Sequence, residues 1–372
     1  MTPAAFDHQP RTRLVFGAGC LGRLGELASE LRCGRALIVC DSGIARAGYA
    51  RRASEMLAAA GIAVQVYDQV RENPSTTDVA ACVEVARHFA CDLIIGVGGG
   101  SSMDTAKGCN FILTNGGRMQ DYWGWAKASK PMLPLIAIPT TAGTGSECQS
   151  YALISDEQTH VKMACGDPKA AAAIALLDPE LTLSQPQRVT VCTGIDAISH
   201  ALESAVCTKR NALSSMHSRE AFALLASSFS TVLSQPANLE ARSAMQLGAA
   251  YAGIAIEGSM LGAAHSLANP LTARFGVIHG EAVGLMLPHV MAFNAADPQV
   301  AAIYQTLGAH ATPEQITAWL NEAGMPTRLQ ERGVAEADLE ELAAMAAKQW
   351  TAQFNPRPLT PEDFSALYRA AL

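Results

Sequence analysis

Asp196 and His200 stand four residues apart in Gly194-Ile-Asp-Ala-Ile-Ser-His200. On a helix that spacing puts a carboxylate and an imidazole on one face, able to converge on one point. Two further histidines, His265 and His279, are separated by fourteen positions, roughly 21 Å along a continuous helix. Pro270, Gly276 and Gly280 are expected to break that stretch, so that the chain folds back and brings the two rings together. One carboxylate and three imidazoles make a four-ligand set for a divalent cation, with room for an oxygen ligand. Any single histidine is more often a surface or packed residue, and spacing alone does not tie the first pair to the second. His217 and His289 are read as structural or supporting residues, while His8, His88, His160 and His310 sit in no motif.

A different chemistry is offered by Ile95-Gly-Val-Gly-Gly-Gly-Ser-Ser-Met-Asp-Thr-Ala-Lys107, read as a strand, a glycine turn and a helix start. Gly98, Gly99 and Gly100 let main-chain N–H groups approach a ligand closely, and Ser101 and Ser102 add hydroxyls. The positive end of the helix completes a cradle for a pyrophosphate. Glycine in a tight turn also serves as simple punctuation. No acidic residue fits the offset of about 20 positions expected after such glycines. Asp41, ending an earlier strand, is the better candidate: its carboxylate would accept ribose hydroxyls and repel a 2′-phosphate, favouring NAD over NADP. An Asx turn at Asp41-Ser-Gly43 accounts for it equally well. A second polar loop, Pro139-Thr-Thr-Ala-Gly-Thr-Gly-Ser-Glu147, packs four hydroxyls and two glycines into nine residues. That exceeds what a connection needs and reads as a second cradle.

The elements that must position these groups differ between the halves of the chain. Arg35–Asp41, Val64–Tyr67, Asp92–Val97 and Leu133–Ile138 read as strands, with helices over Tyr49–Ala60, closed by Gly61, and Thr77–Ala90. Such alternation implies a parallel sheet covered on both faces. Beyond Pro186 helical periodicity takes over and no strand is expected. Thr312-Pro-Glu-Gln315 carries an N-cap, a proline at N1 and a capping-box Gln, with Gly324 as the stop. Thr360-Pro-Glu-Asp363 opens the last helix similarly, although its Asp is short for the reciprocal half of the box. Two domains are therefore expected: α/β over residues 1–185 and all-helical over 186–372.

Composition narrows the function classes. The 372 residues are 49% hydrophobic and 16% charged, enough for a large core without staples and against long disordered tails. The formal charge of −7 and the absence of a Lys/Arg cluster argue against nucleic acid as a partner. No apolar run approaches the length of about 20 residues that spans a bilayer, and the segment from Met1 to His8 has no apolar signal core. Ten cysteines, all between Cys20 and Cys207 and none in a Cys-x-x-Cys pair, suit buried reduced thiols in a cytoplasmic protein.

Taken together, Gly98-Gly-Gly-Ser-Ser-Met-Asp104, Pro139–Glu147, Thr193-Gly-Ile-Asp-Ala-Ile-Ser-His-Ala-Leu-Glu203, Leu261-Gly-Ala-Ala-His265, His279-Gly280, Leu287-Pro-His289 and Asn355-Pro-Arg-Pro358 closely resemble, in one order, the iron-containing (group III) alcohol dehydrogenase family. The likeness runs from Phe16-Gly-Ala-Gly19 to the last helix. It implies an N-terminal α/β dinucleotide-binding domain with a parallel sheet, a C-terminal all-α domain, and an active site in the cleft between them. By the same resemblance Asp196, His200, His265 and His279 are the metal ligands. Asp41, Asn73, Gly98, Gly99, Gly100, Ser101, Asp104, Thr140, Thr141, Thr144, Ser146 and Lys162 are cofactor contacts, with Leu181 and Thr182 as further ones. The implied cofactors are NAD and a divalent metal, iron(II) or alternatively zinc, which binds such donors more tightly. The implied partners are a small alcohol or aldehyde substrate and at least one further copy of the chain.

Three departures from the family pattern stand out. Asn269 replaces a second histidine, and an Asn does not titrate near neutral pH, which puts in doubt a proton relay through that position. Thr272 replaces a glycine, and Ile256-Glu-Gly258 occupies a stretch that often holds an aromatic and an Asn. Glu257 could supply a carboxylate in place of that histidine, although a solvated residue is the preferred reading. Side chains expected near the substrate are Tyr151, Ile256, Met260 and Phe275. The nearest rival enzymes are glycerol dehydrogenases, other polyol or hydroxy-acid oxidoreductases and dehydroquinate synthase of the same architecture. No Lys/Arg cluster suggests a multiply anionic substrate. A non-catalytic nucleotide-binding protein would need no polarising metal.

Overall fold

The computed structural model describes residues 5–159 and 161–372. His160 and the first four residues of the Met1–His8 start lie outside it. The described chain forms two compact units. One comprises residues 9–141 and 145–185, the other residues 142–144 and 186–372 together with the described residues up to His8.

The first unit is built on a six-stranded sheet. In chain order its strands are β1 (Arg13–Phe16), β2 (Arg35–Asp41), β3 (Ala63–Val70), β4 (Leu93–Gly98), β6 (Leu135–Pro139) and β9 (Ile174–Leu177). They lie in the order β1-β9-β6-β4-β2-β3, every pair parallel. A small second sheet takes β5 (Gly124–Trp125), β7 (Tyr151–Ser155) and β8 (Lys162–Gly166) in the order β5-β8-β7. The period of two that defines a strand divides the core cleanly. Leu37, Val39, Ile94, Leu135 and Ala137 face one apolar cluster, while Ala36, Ile38, Cys40, Ile95, Ile136 and Ile138 face the other. Helices cover both faces, as continuous apolar strands require. The expected strands and the Tyr49–Ala59 and Thr76–Phe89 helices are present within a few residues. The short β1, β5, β7, β8 and β9 go beyond them.

The second unit is helical: among the described residues no strand follows Leu177. Three of its helices matter for the site, Gln187–Val206, Ala263–Phe275 and His279–Ala295. Pro270 does not break the second of these but rides within it. The chain turns instead at Gly276, in the left-handed region at φ 65°, where a residue without Cβ is at ease. Gly280 likewise lies inside a helix rather than at a break.

Two capping expectations are corrected. Gln315 does not reach back to Thr312: Thr312 accepts the Gln315 N–H at 3.2 Å, while the Gln315 side chain turns to His310. Asp363 is long enough, since Thr360 and Asp363 bond each other reciprocally at 2.8 and 3.2 Å. No helix among the described residues is long and apolar enough to cross a membrane.

Candidate functional site

Asp196 and His200 lie mid-helix on Gln187–Val206, both buried. His265 is the third residue of Ala263–Phe275 and His279 the first of His279–Ala295. Gly280 sets the approach of that last helix: a Cβ there would come within 2.0 Å of the Cys192 carbonyl oxygen. Glycine alone lets the backbones pass so closely, and the neighbouring His279 is thereby delivered to Asp196.

All four side chains converge. Asp196 Oδ1 is 3.4 Å from His200 Nε2, 3.4 Å from His265 Nε2 and 3.8 Å from His279 Nε2. The His200 and His265 Nε2 atoms are 3.1 Å apart. Asp196, His265 and His279 each present a donor atom within 4.8 Å of the others. Burial works to raise the Asp196 carboxyl, but the three imidazoles outweigh it and hold it well below the usual carboxylate range. Burial pushes His200 down, against the pull of Asp196. Burial also acts to lower His265, yet Glu203 and Asp196 prevail and raise it to about 9.

These residues fit a divalent cation on two structural counts. Asp196 Oδ1 is buried and accepts no hydrogen bond, a costly state for a carboxylate oxygen unless something else meets it. Ligand bonds of about 2.0–2.2 Å in a tetrahedral site put donor atoms roughly 3.3–3.6 Å apart, and the observed separations bracket that edge. His279, with 28% of its side chain exposed, is the most open of the four.

The glycine turn is built mainly from main chain. Gly98, at φ 144°, ends β4, and a Cβ there would strike the Ser102 hydroxyl. Gly99 is the N-cap of the Gly100–Asn115 helix without any side-chain cap; Ser102 N–H turns back to Gly99 O at 3.1 Å, which leaves the Gly100 and Ser101 N–H groups for a ligand. Thr140 N–H donates to Gly98 O at 2.9 Å, and Thr141 packs beside Gly99, because β4 and β6 are parallel neighbours. Asn73, at φ 52°, donates its N–H to Ser101 Oγ at 3.2 Å, and Lys162 Nζ donates to Asn73 Oδ1 at 3.3 Å. Ser146 Oγ donates to buried Asp104 at 3.0 Å, whose carboxyl burial raises.

Other expected contacts are placed differently. Asp41 is the N-cap of Ser42–Arg46, its Oδ1 accepting from Gly43 N and Ile44 N at 2.7 and 3.0 Å. The Asx geometry is thus real, and Oδ2 stays clear of it. Leu181 is a core residue, and the hydroxyl of fully buried Thr182 donates back to Pro179 O. Thr144 belongs with the helical unit. Of the remaining histidines, His217 bonds Leu213 O at 3.0 Å and packs on Tyr251.

Two buried charged side chains carry no role in the sequence reading. Glu203, three residues after His200, shares the ligand face and bonds His265 Nδ1 at 2.5 Å; its helical spacing was the available signal. Lys107 is wholly buried and donates to the carbonyls of Ser146, Gln149 and Tyr151 at 2.6–2.9 Å. Nothing in its spacing announces those partners.

Residues 10–179 match the family described as iron-containing alcohol dehydrogenase, and residues 190–372 match the Fe-containing alcohol dehydrogenase family, C-terminal. The NAD-dependent methanol dehydrogenase of Bacillus methanolicus is 33% identical over 96% of this chain and 97% of its own. A crystal structure of 1,3-propanediol oxidoreductase superposes with a TM-score of 0.95 at 31% identity, covering 99% of this chain and 100% of that one. The sulfoacetaldehyde reductase of Bifidobacterium kashiwanohense, solved in complex with NAD+, gives 0.91 at 27% identity over 99% of both chains.

Proposed function

The chain belongs to the iron-containing alcohol dehydrogenase family, and from that premise we propose how its residues carry the family's chemistry. It is an NAD-linked, metal-containing oxidoreductase that interconverts alcohols and aldehydes or ketones. Asp196, His200, His265 and His279 hold the divalent cation, iron(II) or alternatively zinc. Asp41, Asn73, Gly98–Ser101, Asp104, Thr140, Thr141, Thr144, Ser146 and Lys162 serve NAD, with Leu181 and Thr182 contributing main chain. When bound, the cation would supply Lewis acidity and NAD the hydride-accepting chemistry.

The chain's own part is placement and charge. Asp196 brings the single negative charge and each imidazole would ligate through a neutral nitrogen, so the set would neutralise only half of a divalent cation and leave it electrophilic. The uncapped start of Gly100–Asn115 meets the pyrophosphate with N–H groups and the helix dipole. Asp41 keeps Oδ2 for ribose hydroxyls and would repel a 2′-phosphate. The observation that carries the reading is the buried, unbonded Asp196 Oδ1 ringed by three Nε2 atoms.

One observation favours a polar substrate, such as a diol, among small alcohols. Asn269, one turn beyond His265, donates to Gln349 Oε1 at 3.0 Å, so a non-titrating amide pair stands where the family has a second histidine, which supports a more polar substrate. Eight buried cysteines among ten free ones support a reducing compartment such as the cytoplasm. An assembly of two or more copies is proposed on family likeness alone, with sedimentation as its measurement.

The test is NADH formation, followed by absorbance, across simple alcohols and diols. Turnover should be lost on chelation, restored by iron(II), and abolished together with metal uptake in His279→Ala. Undiminished turnover in metal-free His279→Ala would refute the assignment.

A further inference from the structure

The Ala263–Phe275 helix brings His265 to the cluster, yet it has no side-chain cap of its own, because its N-cap is Gly262. Two distant side chains supply what is missing. Asn355 Oδ1 accepts the Ala263 N–H at 3.2 Å, and Glu203 Oε1 accepts the Ala264 N–H at 2.7 Å. Gly262 leaves room for both, since a Cβ there would lie 3.0 Å from each of those oxygens. Asn355 is itself fixed by a reciprocal amide pair with Asn294, at 3.1 and 2.7 Å, and by donation to Arg357 O at 2.8 Å.

Glu203 does more than cap. Its second oxygen faces His265 Nδ1 at 2.5 Å, and the residue is buried on the helix that carries Asp196 and His200. A carboxylate only accepts, so His265 holds a proton on Nδ1 and presents Nε2 toward Asp196 as the nitrogen a cation would take. We propose that Glu203 is the positioning residue of this centre: one oxygen docks the helix that bears His265, and the other fixes that ring's tautomer and orientation for a divalent cation. The inference rests on the reading of His265 as a cation ligand. A carboxylate behind a ligating imidazole both orients it and makes it a better donor.

The test compares the full-length, metal-stripped chain with Glu203→Gln and Asn355→Ala. Glutamine keeps the shape but has one acceptor oxygen. If that oxygen stays on Ala264, the amino group faces Nδ1 and drives the imidazole proton to Nε2. Three quantities are read: Co2+ affinity from its visible absorption, the His265 tautomer from long-range 1H–15N correlation at a pH where the ring is neutral, and thermal unfolding without metal. For Glu203→Gln the expected result is a Co2+ affinity lower by about 10–100-fold, a proton moved to Nε2, and a melting temperature close to that of the wild type. Asn355→Ala should lower the melting temperature and leave the tautomer alone.

Wild-type-like Co2+ binding by Glu203→Gln, a retained Nδ1–H, or an equal affinity loss in Asn355→Ala would each overturn the proposal. Failure of metal-free Glu203→Gln to fold would overturn it in favour of a purely structural role. A wild-type chain that takes up no Co2+ would strike the ligand reading itself, a distinguishable result.

Discussion

Lys107 and Asp196 are both buried charges, one in each compact unit, and the fold treats them in opposite ways. The Lys107 ammonium is met by three main-chain carbonyls and the Ser146 hydroxyl, at 2.6–3.0 Å. Asp196 Oδ1 accepts nothing, though three imidazole nitrogens stand around it. A buried charge survives only when its lost hydration is replaced. Lys107 has been given its replacement by the chain, and it spends that charge on holding the Ser146–Tyr151 segment to the Gly100–Asn115 helix. Asp196 has been given neighbouring charge but no hydrogen bond to Oδ1, which is what a site for an external cation requires. Satisfaction, more than burial or charge, separates the structural ion from the functional one.

The sharpest way to break that contrast is to remove each charge in turn. Lys107→Met removes the ammonium that four oxygens share and should cost about 3–5 kcal/mol of stability, read as a lowered urea midpoint, with cation affinity unchanged. Asp196→Asn should do the reverse, lowering Co2+ affinity by orders of magnitude. A Lys107→Met chain of normal stability but poor cation binding would mean the two roles have been assigned the wrong way round.

Glu147 shows a third treatment, neutralisation. Burial pushes its carboxyl up to about 7, opposed by its own main-chain N–H and by Lys107. The folded-state value thus lies above the unfolded one of 4.5. Its favourable contribution is therefore fully present below pH 4.5 and is lost as pH rises through about 7, because the unfolded chain ionises first. Glu147→Gln should be more stable than the parent above pH 7, by about 3 kcal/mol at most, and equal to it near pH 4. Urea midpoints across that range measure the difference. Parallel curves for both proteins would show that the buried carboxyl ionises freely.

What the sequence reveals follows the same division. Asp196 and His200 are legible because four residues of helix make them neighbours, and the glycine turn is legible because main-chain ligation needs glycines in a row. The convergence of His265 with His279 is legible only as a need to fold back. Its agents are Gly276, which turns the chain, and Gly280, which admits Cys192 O, whereas Pro270 stays inside the helix. Lys107 is opaque because its partners are carbonyls 39–44 residues away, and every residue has a carbonyl. Asn355 is opaque for a similar reason: the helix end it serves lies 92 residues earlier. The short β1 and β9 escape pattern reading because four residues give too few alternations, and β1 becomes a strand only by pairing with β9.

The smallest expected effect comes from a polar site that is both satisfied and exposed. Thr360 and Asp363 close a reciprocal box at the start of Pro361–Ala371, with Thr360 Oγ1 accepting from Asp363 N and Asp363 Oδ2 from Thr360 N. Thr360→Ala removes one half of it. Water can reach the freed N–H, unlike the carbonyls around Lys107, so the loss should be about 1 kcal/mol, with cation affinity untouched. Thr360→Ser, which keeps the hydroxyl, should recover most of it. A loss as large as that of Lys107→Met would place the box among the buried networks. No loss at all would mean that Asp363 caps the helix unaided, and differential scanning calorimetry of the three chains decides between these outcomes.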